Sequence, residues 1–225
     1  MRPNLILSRL FAAVSAMLAM VGYVSAEPYS KIRFEPIPSD ILPSSEVRKL
    51  YQDSDGYIWI PTYNGLARYD GYGVVTYGMH DVSGVNVVAE DRDKVIWIGT
   101  ERGLFRLDKK TGTISATGCE AVDDCNISVI ICDTGNGIWV GSDKGLFRKN
   151  ASEHYFRPVT MRNADGKLVT DITSVVKDAN CSLWVASYGS GLLRYDLREE
   201  RTYTYDDEIL RHAHVVFCDA DGNVW

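Results

Sequence analysis

Five tryptophans recur along this chain at nearly even intervals, and each lies in the same local pattern. They are Trp59, Trp97, Trp139, Trp184 and Trp225, spaced by 38, 42, 45 and 41 residues. An aspartate stands six positions before each of them, at Asp53, Asp91, Asp133, Asp178 and Asp219. After the first four come a Gly-Leu pair and an arginine, as in DRDKVIWIGTERGLFRLD at residues 91–108. A period of about 40 residues indicates a row of equivalent structural units.

Each repeat has the pattern of four short strands. A stretch mostly rich in β-branched residues precedes each aspartate, at residues 47–52, 85–90, 127–132, 172–177 and 214–218, and predicts the first strand. The aspartate opens a tight turn, the tryptophan lies in the second strand, and the Gly-Leu pair begins the third. A fourth strand is predicted at residues 111–117 and 201–206 in the two clearest copies. This arrangement is typical of a β-propeller blade; a β-solenoid is the alternative, but its repeats are normally shorter.

The predicted fold class is therefore all-β, a β-propeller of four-stranded blades. The sequence holds four blades and the first half of a fifth, because it stops at Trp225 inside the tryptophan strand of the fifth repeat. We expect an N-terminal fragment of a larger ring. The repeated aspartates are expected to form turns and the tryptophans to pack between blades, rather than to bind calcium or stack on sugars. The repeated arginine is expected to cover strand edges or to pair with a turn carboxylate.

The first 26 residues have the pattern of a secretory signal peptide. Arg2 and Arg9 precede an uncharged run at residues 10–26, and Val24-Ser25-Ala26 supplies small residues before Glu27. The alternative is an uncleaved membrane anchor, for which 17 uncharged residues are rather short. We therefore predict a signal peptide at residues 1–26 and an incomplete propeller at residues 27–225, exported from the cytoplasm.

Charge and cysteine content limit the partners of the exported part. The whole chain has 24 basic and 30 acidic residues, and no Lys/Arg run appears, so nucleic-acid binding by this segment is not expected. All five cysteines lie beyond the signal peptide, and in an oxidising compartment Cys119 and Cys125 could form a disulfide around a short acidic stretch. No C-x-x-C motif is present, which makes a structural zinc site unexpected. No metal and no cofactor are predicted.

The repeat, written D-x-x-G-x-[IL]-W-[IV]-G-T-x-x-G-L-x-R-Y-D, resembles the two-component-regulator propeller repeat. The run Arg68-Tyr69-Asp70-Gly71-Tyr72 is similar to the ending of the family's first blade, and the resemblance covers about residues 29–225. Three departures are visible. Pro61 replaces the glycine of the first W-I-G-T, no Tyr-Asp follows Arg148, and the fourth copy reads Trp184-Val-Ala-Ser.

The resemblance implies the N-terminal periplasmic sensor region of a Bacteroidetes-type hybrid two-component system, a sensor histidine kinase and regulator. Propellers of that family resemble seven-bladed rings, so this chain is expected to hold part of such a ring. The parent protein would lie in the inner membrane through a downstream helix, and it would form a homodimer. The implied function is detection of an extracellular small molecule or oligosaccharide, signalled to a kinase and transcription-regulator module.

The loops that lead into the first strands and those after the second strands share one face around the channel of a propeller. On this face the sequence offers aromatic, amide and charged side chains suited to sugars. The candidate ligand-binding residues are Tyr63, Asn64, Glu101, Arg102, Tyr188 and His214.

No catalytic residues are predicted for this segment, because no G-x-S-x-G, H-E-x-x-H or P-loop motif appears. One alternative is a secreted propeller lyase or lactonase of the streptogramin-lyase type, whose blades carry similar Gly-x-[IL]-Trp patterns and whose channel holds a metal. Of His80, His154, His212 and His214, only the last two are expected near a channel mouth. A protein-interaction scaffold is the other alternative.

Overall fold

The computed structural model describes residues 36–78, 82–133, 135, 137–205 and 207–225. The predicted signal peptide and His80 lie outside these residues. The description below concerns the compact unit Pro38–Trp225. No helix in the described part of the chain is long and apolar enough to cross a membrane.

Four antiparallel sheets of four strands each follow one another along the described chain. Blade 1 consists of β1 (Tyr51–Gln52), β2 (Ile58–Thr62), β3 (Gly65–Tyr69) and β4 (Val74–Tyr77). Blade 2 consists of β5 (Val85–Glu90), β6 (Val95–Thr100), β7 (Gly103–Asp108) and β8 (Ile114–Ala116). Blade 3 consists of β9 (Ile127–Cys132), β10 (Ile138–Ser142), β11 (Gly145–Lys149) and β12 (Arg157–Val159). Blade 4 consists of β13 (Ile172–Lys177), β14 (Ser182–Ser187), β15 (Gly191–Asp196) and β16 (Arg201–Thr204).

Two short 3₁₀ helices, at Ser39–Ile41 and Leu210–His212, are the helical elements of the described residues. In every blade the strands pair in chain order, and the first strands β5, β9 and β13 lie beside one another at the inner edge. The prediction of an all-β propeller with four-stranded blades is confirmed.

The predicted first strands of blades 2, 3 and 4 coincide with β5, β9 and β13, but the first strand of blade 1 is shorter than predicted. Only Tyr51–Gln52 forms a ladder, with a separate bridge between Val47 and Thr62. Arg48 N donates to Pro61 O at 3.0 Å, and proline has no N–H to return a bond. The departure at Pro61 therefore interrupts the ladder between these two points.

The strand predicted at residues 214–218 is also wrong. In the fifth repeat Phe217 and Trp225 exchange two backbone hydrogen bonds, of 3.0 and 2.8 Å, and Cys218 bridges Val224. Earlier in this segment, Val216 N donates to the side-chain Oγ of Ser174 in β13 instead of to a backbone carbonyl. With so few ladder partners among the described residues, this segment has an isolated bridge and no strand.

The apolar core lies between neighbouring blades, in three clusters. Trp59 and Leu66 of blade 1 pack with Val85, Val88 and Ile96 of blade 2. Trp97 packs with residues of blade 3, and Trp139 packs with residues of blade 4. Trp59, Trp97 and Trp139 are each at most 7% exposed. Each of these side chains therefore joins its own blade to the next one, and the blades stabilise each other.

Two glycines of the W-I-G-T motif allow this close approach. A Cβ added at Gly141 would lie 2.7 Å from Cγ2 of Ile172, the first residue of the next inner strand. At Gly99 it would lie 2.6 Å from Cγ2 of Ile127. Both isoleucines are buried, so they have little room to move. The repeated glycine is therefore a contact point between blades.

We expect the substitution Gly141→Ala to lower the free energy of unfolding by about 1–3 kcal/mol, because the added methyl overpacks a rigid contact. Chemical denaturation monitored by tryptophan fluorescence measures this change. Gly73→Ala is the control, since a Cβ there meets no atom within 4 Å. Equal effects of the two substitutions would contradict the proposed packing role.

Candidate functional site

The repeated aspartate organises the turn between the first and second strands. In blade 1, Asp53 Oδ1 accepts backbone N–H bonds from Asp55 and Tyr57, each of 3.0 Å. Asp53 Oδ2 accepts the indole N–H of Trp59 at 2.9 Å. The same aspartate–indole bond joins Asp91 to Trp97 at 2.7 Å, Asp178 to Trp184 at 3.0 Å, and Asp219 to Trp225 at 2.9 Å. The spacing of six residues thus places each carboxylate against its own tryptophan.

Blade 3 departs from this pattern. Asp133 Oδ2 accepts a bond of 2.7 Å from Lys177 Nζ of blade 4. The buried indole N–H of Trp139 has no acceptor among the described residues. Sequence reasoning treats all five aspartates as equivalent, and the exception depends on a lysine 44 positions away.

Three of the four repeated arginines stack on aromatic rings, whereas Arg106 Nε donates to Ser115 Oγ at 3.2 Å. The guanidinium carbon of Arg68 lies 4.4 Å from the ring centre of Tyr57. That of Arg148 lies 4.7 Å from the ring centre of Trp139, and that of Arg194 lies 4.5 Å from the ring centre of Tyr203. Such cation–π contacts stabilise an arginine at an aromatic face. The expectation of pairing with a turn carboxylate is wrong for these arginines, since no such ion pair occurs in the described structure.

A buried group of charges joins blades 1 and 2 at the turn side. Lys109 Nζ lies 3.1 Å from Asp53 Oδ2, 2.5 Å from Asp55 Oδ2 and 2.5 Å from Glu90 Oε1. Lys94 pairs with the second oxygen of Asp55. The side chains of Lys109, Asp53 and Glu90 are at most 10% exposed. We call these five residues the Lys109 network.

Hydrogen bonds set the protonation of this network. Bonds from Lys109 and Lys94 lower the pKa of Asp55 to about 2. Burial alone would raise the pKa of Asp53 and Glu90, but the bonds that they accept outweigh it, and both pKa values are lowered. Burial likewise opposes the charge of Lys109, yet its three carboxylate bonds raise its pKa. Asp53, Asp55, Glu90 and Lys109 are therefore charged at neutral pH.

Asp53, Asp55 and Glu90 are close enough together to act as metal ligands, and they are the one such group in the described part of the chain. Their oxygens already surround the ammonium of Lys109. The positive charge that balances them is thus supplied by the protein.

The loops on the channel side are linked from one blade to the next by backbone hydrogen bonds. Gly84 N donates to Tyr63 O at 2.6 Å, which ties the start of blade 2 to the loop after β2. Asp171 N donates to Asp143 O at 3.0 Å, and Tyr188 N donates to Asp171 O at 2.9 Å. These loops and the segments leading into the inner strands form what we call the channel-side face.

Polar side chains extend this linkage at the inner strands. Asn86 donates to Ile127 O, Ser128 to Ile172 O, and Ser174 to Val216 O. Lys49 of blade 1 donates to Ser128 O at 3.0 Å, and burial lowers its pKa. The lysine is an additional charged group at the inner strands that sequence reasoning missed.

The structure brings two candidate ligand-binding residues together through a third residue. The Arg48 guanidinium carbon lies 5.9 Å from the ring centre of Tyr63, and Nη2 lies 3.6 Å from Glu101 Oε1 and 2.8 Å from Glu46 Oε1. Tyr63 is 47% exposed. Arg48 lies in the segment that leads into β1, and sequence reasoning missed it because the spacing of the repeat does not encode how far a long side chain reaches.

Two other candidates form a second pair. The rings of Tyr188 and His214 lie 6.0 Å apart with a tilt of 32°, and Tyr188 is 70% exposed. Asn64 and Arg102 are exposed on the same loops as Tyr63 and Glu101. Neither side chain forms a hydrogen bond or ion pair with another described residue, although the backbone N–H of Arg102 donates to Thr100 Oγ1. The channel-side face therefore presents two aromatic groups on separate blades, and the candidates do not converge in one pocket.

All five cysteines are free thiols in the structure. Cys119 Sγ accepts a bond from Phe156 N, and Cys125 Sγ donates to Ala121 O. The possible disulfide between Cys119 and Cys125 is not formed. Burial and the nearby Asp91 and Glu90 raise the pKa of Cys132 to about 12, so this thiol is protonated at neutral pH.

One stretch of the chain, in blade 1, matches a known protein family. Residues 41–64 match the family described as Two component regulator propeller, and this stretch contains the Asp53 turn and the Trp59 strand. The chain carries the two component regulator propeller repeat. The same aspartate–indole bond recurs in blades 2 and 4 and in the fifth repeat. No curated protein matches the chain significantly.

Solved structures with similar folds include a domain of a two component system, a lyase and a component of a secretion system. The extracellular domain of a protein assigned as a hybrid two component system from B. thetaiotaomicron has a TM-score of 0.67 at 17% identity, over 81% of this chain and 26% of that one. Virginiamycin B lyase from Staphylococcus aureus has a TM-score of 0.66 at 18% identity, over 84% and 64%. PorZ, a surface component of the type-IX secretion system of Porphyromonas gingivalis, has a TM-score of 0.58 at 16% identity, over 78% and 30%.

At these identities the similarity establishes the fold, and the chain spans less than two thirds of each of these structures.

Proposed function

We propose that this chain is the ligand-sensing propeller segment of an exported two-component sensor, and that its channel-side face recognises an extracellular oligosaccharide. The cluster of Arg48, Tyr63 and Glu101 is the observation that carries the proposal. It combines an exposed ring with a cation and a carboxylate on linked loops. The parent protein would signal to a kinase and transcription-regulator module across the inner membrane.

The chemistry of the face suits a sugar. A pyranose presents an apolar face that stacks on an aromatic ring and a rim of hydroxyl groups that need polar partners. Tyr63 and Tyr188 offer two such rings on blades 1 and 4, while Arg48, Glu101 and Asn64 offer hydrogen bonds beside the first ring. Because the two rings lie on different blades, an oligosaccharide that spans several sugar units fits better than one monosaccharide.

The lyase alternative has a structural neighbour but lacks support from the residues. Metal chemistry in a propeller channel calls for several histidine or carboxylate ligands close together. His212 and His214 belong to no such group in the part of the chain that the structure describes. The three-carboxylate group at the turn side holds the ammonium of Lys109. The residues therefore favour binding without chemistry for this segment.

Binding to an array of defined oligosaccharides from pectin, xylan, glucan and glycosaminoglycan tests the proposal. We expect the parent protein to bind oligosaccharides of at least one of these classes. Arg48→Ala, Tyr63→Ala and Tyr188→Ala should each weaken that binding about tenfold, as for the loss of a central interface contact. Tyr72→Ala is the matched control, because Tyr72 is a 99% exposed tyrosine on the hairpin between β3 and β4.

Two results would overturn the proposal. One is that the protein binds no oligosaccharide on the array, or that all three substitutions leave its oligosaccharide binding unchanged. The other is chemical conversion of quinupristin, the ligand present in a structure of the inactive Staphylococcus aureus lyase, when it is incubated with the protein and followed by mass spectrometry. That second result would favour the enzyme.

A further inference from the structure

A cavity of about 410 Å³ lies between blades 3 and 4, apart from the channel-side face. Its lining includes Trp139, Arg148, Asn150, Glu153, Arg157 and Tyr195. None of these residues belongs to the candidate oligosaccharide site. The volume is within the range of pockets that hold small organic ligands, roughly 300–1,000 Å³.

The cavity is lined by two side chains that lack hydrogen-bond acceptors. Trp139 is 2% exposed, and no described residue accepts a bond from its indole N–H. Arg148 Nε is also buried without an acceptor, and its guanidinium carbon lies 4.7 Å from the Trp139 ring centre. A buried donor without a partner destabilises the folded state. A ligand that supplies an acceptor here would recover that loss.

The deviation of blade 3 from the repeat creates this arrangement. In the other described repeats the turn aspartate accepts the indole bond, but Asp133 accepts one from Lys177. At the position of Lys177, directly before the turn aspartate, the other repeats have Gln52, Glu90, Cys132 and Cys218. The free indole N–H is thus specific to the interface between blades 3 and 4, whereas a buried Nε without an acceptor is shared by Arg68, Arg148 and Arg194.

The acidic residues of the lining indicate the charge of the ligand. Glu153 is already satisfied, because it pairs with Arg157 Nε at 3.1 Å and accepts a bond of 3.0 Å from Asn150 N. Arg148 has no carboxylate partner in the described structure, and a guanidinium binds a carboxylate with two parallel bonds. Exposed Glu200 also lines the cavity, which disfavours an ion with more than one negative charge.

From these observations we propose that the cavity between blades 3 and 4 is a second binding site, for a small organic carboxylate of monosaccharide size. The carboxylate would accept bonds from Arg148, and movement of the Arg148 side chain towards the ligand would open the buried Trp139 indole N–H to the same carboxylate. The remaining groups of the ligand would contact Asn150 and Tyr195. This site is independent of the proposed oligosaccharide site and of its function.

Sodium D-glucuronate is the probe, and D-glucose is its uncharged control. Nuclear magnetic resonance resolves the five indole N–H signals, and Trp139→Phe assigns the relevant one. We expect glucuronate, and not glucose, to shift the Trp139 signal while the other four stay nearly unchanged. Trp139→Phe and Arg148→Gln should each weaken glucuronate binding about tenfold or more, as for lost hydrogen bonds to a charged group.

Matched variants separate binding from folding. Trp184→Phe removes an indole that already donates to Asp178, and Arg194→Gln removes the equivalent arginine of blade 4, so both should bind glucuronate as the unmodified protein does. Circular dichroism verifies that every variant is folded. The proposal is wrong if glucuronate leaves the Trp139 signal unmoved, if glucose shifts it equally, or if Arg148→Gln and Arg194→Gln have the same effect.

Discussion

Replacing Trp97 by alanine should lower the free energy of unfolding by about 3–5 kcal/mol, the range for large core truncations. Trp97 lies in the cluster between blades 2 and 3 and is 7% exposed. Its ring meets that of Phe156 edge to face, with the ring centres 5.9 Å apart. Its indole donates to Asp91 at 2.7 Å. The substitution therefore removes a contact between blades and leaves a carboxylate without its partner.

Urea denaturation of the protein measures this loss of stability, and two further variants serve as comparisons. Trp97→Phe keeps a ring and removes the hydrogen bond, so it should cost less than the alanine variant. Tyr72→Ala should change stability by less than about 0.5 kcal/mol, as is usual for exposed positions. If Trp97→Ala folds with unchanged stability and instead loses oligosaccharide binding, the tryptophan belongs to a binding site and the packing assignment is wrong.

The repeat predicted most of this fold because each blade is specified locally. The inner strands at residues 85–90, 127–132 and 172–177 have the predicted bounds, since alternating apolar residues and a turn aspartate lie within a few positions of each other. The prediction failed at residues 47–52. There Pro61, on the neighbouring strand, removes a ladder hydrogen bond, and its effect depends on the register between two strands.

The candidate site was less predictable, because its groups come from distant parts of the sequence. The loops that carry Tyr63 and Glu101 could be placed on one face from the blade pattern alone. Arg48, which joins them, could not, because long side chains reach across blades in ways that no spacing encodes. For the same reason, the sequence did not predict the Lys109 network. There Lys109, in the loop after β7, contacts two residues of a turn 54 to 56 positions earlier in the chain.

Replacing Lys109 by methionine should lower the free energy of unfolding by about 3–5 kcal/mol, as for removal of one partner from a buried ionic group. Methionine keeps much of the side-chain length and removes the charge. Asp53 and Glu90, which are at most 5% exposed, would then face each other and Asp55 without the ammonium between them. Lys110→Met is the matched control, since Lys110 is the exposed neighbour in the same loop, and it should have little effect.

The pH dependence of the stability lost in Lys109→Met tests whether that loss is electrostatic. In the unmodified protein the carboxyl pKa values are lowered, to about 2 for Asp55. Their stabilisation is therefore complete above the unfolded values near 4 and is lost as the pH falls through the folded ones. In the variant the crowded carboxylates favour protonation, so acid relieves their repulsion. The stability difference should be largest near pH 7 and should narrow towards pH 3. Urea denaturation at pH 7, 5 and 3 measures it, and a deficit that is constant with pH would mean that Lys109 stabilises the blades by packing alone.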